Sequence, residues 1–128
     1  MAIELEEYKD MLADLKENKS VCNKNTETLE YEMVFVSTLV ERDLNNRELL
    51  RLQVKVNDRY FVNQEMINVL NLTIKYLKVE KEFDGVFNEY MDRYDDLAKR
   101  FIAISKDSDF IELANKYMPN TVVEENNV

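Results

Sequence analysis

The chain has 128 residues, 45% of them apolar and 34% charged, with 26 Asp and Glu against 17 Lys and Arg for a net charge of −9. At this length one hydrophobic core is sustainable without disulfides or metals, and the apolar content is too high for a disordered chain. A single Gly and a single Pro argue against turn-rich sandwiches, barrels and doubly wound folds, whose corners need positive φ. The expected fold is mainly α: three to four helices packed as an antiparallel bundle or coiled coil, one domain over residues 1–118 and a flexible tail over 119–128.

The first seven residues are acidic and lack the basic start and apolar run of a secretion signal. The longest uncharged apolar runs, Met33 to Val40 and Met66 to Ile74, are about half of the ~18 residues that a membrane span needs. Together these features predict a cytoplasmic protein, or a virion component if phage-encoded, with no membrane contact. Cys22 is the only cysteine, so neither an intramolecular disulfide nor a thiol zinc cluster is expected.

Taken in chain order, Leu5, Tyr8, Leu12 and Leu15 are three and four residues apart, which predicts an amphipathic first helix over 2–18. Asn18 to Asn25 is polar and without apolar periodicity, and reads as a loop. Thr26 or Thr28 then caps a second helix carrying Leu29, Met33, Val36, Val40 and Leu44, interrupted at Asn45-Asn46. From Leu50 the pattern has two readings. Leu50, Leu52, Val54 and Val56 alternate with polar residues as in a strand, giving a small β-hairpin around 50–62, whereas Leu49, Leu52, Val56 and Tyr60 fit a helix. Helix is preferred, since no glycine is available for the hairpin turn.

Beyond Asn63, Met66, Leu70, Thr73 and Leu77 share one seam, and Phe87, Tyr90, Tyr94, Leu97, Phe101 and Ile104 form a heptad-like stripe. This predicts a long helix over about 63–104, kinked or broken near Gly85, where the two seams fall out of phase. A short last helix is expected from Asp109, with Glu112 as its capping-box partner, to Met118 before Pro119.

The chemistry of the residues narrows function mostly by elimination. With no histidine, the chain lacks the usual neutral-pH base and metal nitrogen ligand. One glycine cannot build a phosphate-cradling loop. Cys22 stands near Lys19 and Lys24 but has no proton acceptor beside it, and reads as an incidental exposed thiol. Glu4/Glu7, Glu27/Glu30, Glu89/Asp92 and Asp92/Asp95 have the spacing by which all-helical nucleotide pyrophosphohydrolases hold magnesium. Glu27/Glu30 and Glu89/Asp92 are nonetheless too far apart in sequence for that family's compact helix pair. Neither a metal nor a cofactor is expected.

Arg47, Arg51, Lys55 and Arg59 recur every four residues as a basic row, able to bind phosphate or carboxylate or to neutralise acids on the first or last helix. Nucleic acid is disfavoured as a partner for so acidic a chain. The leading expectation is a non-catalytic helical interaction or assembly module, a homo-oligomer or a structural subunit of a larger complex such as a phage particle. Its partner-binding residues would be Arg47, Arg51, Lys55 and Arg59 together with Phe87, Tyr90, Tyr94, Leu97 and Phe101. Two alternatives are an acidic inhibitor that imitates nucleic acid and a magnesium-dependent carboxylate hydrolase.

Overall fold

Leu15, Cys22, Leu29 and Val36 repeat every seven residues and are all buried. This seam carries one uninterrupted helix, α1 (Leu5–Arg42), in the computed structural model, which describes residues 4–119. Three more helices follow: α2 (Arg47–Glu80), α3 (Gly85–Ser105) and α4 (Ser108–Tyr117). At about 1.5 Å per residue α1 and α2 are roughly 57 and 51 Å long, and α3 plus α4 together nearly match α2. The chain therefore runs out along α1, back along α2 and out again along α3 and α4. The molecule is an antiparallel bundle with α2 in the middle, packed against each of the other three helices.

The described residues contain no strand. Residues 50–62 lie inside α2, so the hairpin reading is overturned. Leu52 and Val56 point into the core while Leu50 and Val54 are exposed, and two opposed apolar faces of one helix produced the alternation. The loop expected over Asn18 to Asn25 is also absent. That stretch is mid-helix, and Thr26, read as a cap, donates from its hydroxyl to the Cys22 carbonyl at 3.1 Å. Asn63 of α2 reinforces it by donating to the Cys22 carbonyl and to Thr26 Oγ1, each at 3.1 Å.

The first interruption falls at Asp43 to Asn46, close to where the paired asparagines placed it. Asn46 caps α2 by accepting from the Leu49 N–H at 3.2 Å. The long helix expected over 63–104 is broken at residues 81–84, just before Gly85 and in the gap where the two seams fall out of phase, although Gly85 itself does not make the turn. α2 ends at Lys81, which takes the left-handed conformation with φ 51°, while Gly85 is the first residue of α3 and has ordinary φ. Asp84 then caps α3, accepting from the Phe87 N–H at 3.0 Å and from the Tyr76 hydroxyl. The Phe87 N–H and then the Tyr76 hydroxyl hold the Asp84 carboxyl below its usual range, and the same contact pushes Tyr76 up to about 12. The last helix starts at Ser108 rather than Asp109, and its cap is Asp107, which accepts from the Phe110 N–H at 3.3 Å. Most of the tail called flexible, residues 120–128, lies outside the described residues.

The core is in two parts. One end of the bundle packs Val36, Val40, Leu52 and Val56 against Phe110, Leu113 and Met118, and the other packs Leu15, Cys22, Met66, Leu70 and Leu77 against Phe87. Between them lies a buried polar layer of Glu32, Arg59, Asn63 and Ser105.

Two measurements test this description. Asn23→Pro, placed in the exposed face of α1's polar stretch, should cost at least about 3 kcal/mol in urea denaturation, because proline removes a helical hydrogen bond and clashes with the preceding turn; a loop would tolerate it. Lys81→Gly should stabilise by about 1 kcal/mol by relieving the left-handed backbone.

Candidate functional site

The basic row does not stay on one face. Each four-residue step turns it by about 40° around the helix, so the row winds from solvent into the core. Arg47 is exposed, and the side-chain exposure then falls from 52% at Arg51 to 28% at Lys55 and 2% at Arg59. Arg51 forks onto Asp109 at 3.1 and 3.3 Å, and Lys55 reaches Asp107 at 2.6 Å. The Asp107 carboxyl is held below its usual range chiefly by that Lys55 contact. Three of the four cations expected to meet a partner thus bind this chain's own carboxylates, fastening α4 to α2 and, through Arg59, α1 and α3 to α2. Lys116 and Tyr117 complete the clamp from α4, contacting Glu48 at 2.7 and 2.8 Å.

Arg59 ends the row at the centre of the molecule. Its Nη1 meets Glu32 Oε1 at 2.6 Å and its Nε donates to Ser105 Oγ at 3.1 Å. The guanidinium carbon lies 5.4 Å from the ring centroid of Phe101 and 4.9 Å from that of Phe110, within cation–π range. One side chain therefore joins α1, α2, α3 and α4.

The aromatic stripe is likewise drawn largely into the chain's own packing. Phe87 is buried, and Tyr94, Leu97 and Phe101 lie half-buried against the core. Tyr90 makes an edge contact with Tyr76, with centroids 5.9 Å apart. These five residues face α2 and the space beside it.

Two other surfaces stand out. The first is the outer face of α2. Leu50, Val54, Phe61, Leu72 and Val79 are between 39% and 70% exposed, and helical geometry of about 100° per residue brings all five within roughly 40° of one another. The second is a cleft of about 290 Å³ between α1 and α3, on the opposite side of α2. It exists because the α1 and α3 backbones each pack on α2 and hardly approach one another. Met66 and Arg59 form its floor, with Val21, Cys22 and Leu29 on one wall and Ala98, Phe101 and Ile102 on the other.

Cys22 is not the exposed thiol that a polar loop implied. It is buried in α1, and burial pushes its pKa up, away from the reactive thiolate. Glu4, Glu7, Glu27, Glu30, Glu89, Asp92 and Asp95 all occupy exposed positions. Among the described residues no three Asp, Glu or Cys side chains stand close enough to share a metal ion, and no helix is long and apolar enough to cross a membrane.

Comparison of the chain with protein-family models, with curated proteins and with solved structures finds no match.

The α2 outer face was legible in principle, because its five residues step by 4, 7, 11 and 7. It was hidden by the inner seam, whose residues interleave with it. Arg59's role could be suspected only by following the drift of the basic row.

Removing one member of a buried ion pair strands the other charge, whereas removing both leaves ordinary apolar packing. Arg59→Met should therefore cost about 3–5 kcal/mol in urea denaturation, and Glu32→Leu combined with Arg59→Met should recover most of that loss. A double variant as unstable as the single one would show that the two side chains are not coupled.

Proposed function

We propose that this chain is a non-catalytic helical assembly module that associates through the outer face of α2, with a second copy of itself as the first partner. The observation that carries the reading is the row of five exposed apolar side chains along one side of the central helix. Solvent-exposed apolar residues scattered singly are ordinary, but an aligned set rimmed by polar groups is characteristic of interaction surfaces. The row spans 30 residues of a 34-residue helix, about 44 Å at helical rise, which suits a partner helix rather than a small ligand.

Self-pairing is favoured by the residues in and beside the row. A parallel, in-register pair would set Arg47 against Arg47, Glu65 against Glu65 and Lys75 against Lys75. An antiparallel pair separates these like charges, and a single antiparallel register lays Val54 on Val79 and Phe61 on Leu72 of the second copy simultaneously. The absence of histidine and of a glycine phosphate loop supports the non-catalytic part of the reading. Abundant Asn, Lys, Tyr and Ile with almost no Gly or Pro resembles the composition of small proteins of AT-rich phages and low-GC bacteria, and a structural subunit of a phage particle is one setting consistent with it.

Light scattering at micromolar to 100 µM concentration should detect a dimer or a larger assembly. Phe61→Lys and Val79→Glu, at exposed sites, should each shift the protein to monomer while leaving helicity essentially unchanged, with a melting temperature that no longer rises with protein concentration. A monomer throughout that range, unaffected by either substitution, would overturn the proposal.

A further inference from the structure

The cleft between α1 and α3 lies on the opposite side of α2 from the proposed assembly face, and three of its features point to a ligand. The first is the sign of its lining. Roughly one residue in five of the chain is acidic, yet none of the thirteen residues lining the cleft is Asp or Glu, while Arg59 and Lys106 are cationic. The Arg59 charge is matched from behind by Glu32 at 2.6 Å. Lys106, exposed where α3 ends, supplies the positive charge at the mouth.

The second feature is shape. The lining runs from Asn18 to Leu29 on α1 and from Tyr94 to Lys106 on α3, a length of about 17 Å at helical rise. Such a slot suits an unbranched chain better than a compact ring. The third is capacity. An apolar cavity of ~150 Å³ holds benzene, so this cleft of about 290 Å³ has room for about twelve non-hydrogen atoms. That is the size of a ten-carbon monocarboxylate and far too small for a two-tailed lipid. Sites between the helices of bundles commonly combine apolar walls with a few polar groups in this way.

We propose that the α1/α3 cleft binds a free amphipathic monoanion, a medium-chain alkyl carboxylate, with its tail along Met66, Phe101 and Ile102 and its head at Lys106. The reading is independent of self-association through α2, because the two surfaces share no residue.

The full-length protein would be titrated with decanoate, 1-decanol and decylammonium, all below their micellar concentrations. Calorimetry would give the affinities, and methyl NMR signals of Met66, Ala98 and Ile102 would locate the ligand. Decanoate should perturb those methyls and bind about threefold to fivefold tighter than decanol, the gain expected of one exposed ion pair, with decylammonium weakest. Lys106→Gln should abolish the difference between decanoate and decanol. Ala98→Trp should fill the cleft and weaken decanoate at least tenfold, and Ala98→Leu serves the same purpose if the larger side chain impairs folding. Three outcomes would overturn the proposal: no binding by decanoate; decanol or decylammonium binding as tightly as decanoate; or shifts confined to Leu50, Val54 and Val79 on the α2 outer face.

Discussion

The contact between Arg59 and Glu32 sets the register of the whole bundle. The inward seam of α1 repeats every seven residues as Leu15, Cys22, Leu29 and Val36, and a seam of that kind is nearly indifferent to a slip of one heptad along α2. The polar layer removes the indifference. A slip would bring Asn25 or Leu39 opposite Arg59 and carry Glu32 into an apolar cluster, stranding two buried charges at a cost of several kcal/mol. This is the use of a lone polar position in an otherwise apolar coiled-coil seam: some stability is given up, and one alignment is singled out. Asn63 reinforces the same alignment, because its amide donates to the Cys22 carbonyl and the Thr26 hydroxyl, and a slip of one heptad would put Lys19 or Met33 in the place of Thr26.

A second consequence follows from where that layer sits. Arg59 draws in Ser105 from the end of α3, and Lys55, one turn before it on α2, holds Asp107 at the start of α4. The return path of the chain is therefore pinned at its midpoint, where α3 stops and α4 begins. α4 can then turn its Phe110, Leu113 and Met118 into the apolar cluster formed with Val36 and Val56. With α1 on one side of α2 and the α3–α4 pair on the other, two sides of α2 are left without a helix directly over them. One is the cleft, where α1 and α3 bury Arg59 and Met66 without meeting above them, and the other is the exposed apolar outer row. Both candidate surfaces are thus products of a single arrangement, a central helix flanked rather than enclosed.

Much of this was legible in the sequence where one helical face carries one kind of residue. The heptad spacing from Phe87 to Ile104 gave a helix, the paired asparagines at 45 and 46 marked a helix boundary, and Pro119 closed the last helix. Reading failed where a helix has more than one face to satisfy. In α2 the inner Leu52 and Val56 interleave with the outer Leu50 and Val54, which imitates a strand. In α1 the polar run from Asn18 to Asn25 looked unable to pack, yet a single buried Cys22 every seven residues suffices when Asn63 reaches across to bond the backbone. The basic row neutralises acids of the first and last helices, one of the two roles its spacing allowed, because a strict four-residue repeat drifts around the helix and carries its last member into the core. Gly85 drew attention as the only glycine, whereas the backbone turns at Lys81, a residue whose identity gives no hint of a left-handed conformation.

The cleft and the outer row of α2 also bear on what has shaped the chain. Replacing Val54, Leu72 or Val79 by polar residues would remove the exposed row without touching the core, since each side chain points away from it. Enlarging Ala98 would close the cleft, because it stands in the wall where α1 and α3 separate. Changes of this kind are among the cheapest routes to a more soluble or better-packed monomer. A chain adapted only for folding would be expected to have taken them. Instead α2 keeps Arg59 and Asn63, which are costly to bury, within an otherwise mostly apolar inner side, and keeps a row of five apolar side chains among the polar residues of its outer side. These two departures from the ordinary pattern, a few inward polar groups that fix alignment and an outward apolar row that self-association would cover, set α2 apart from a simple structural strut.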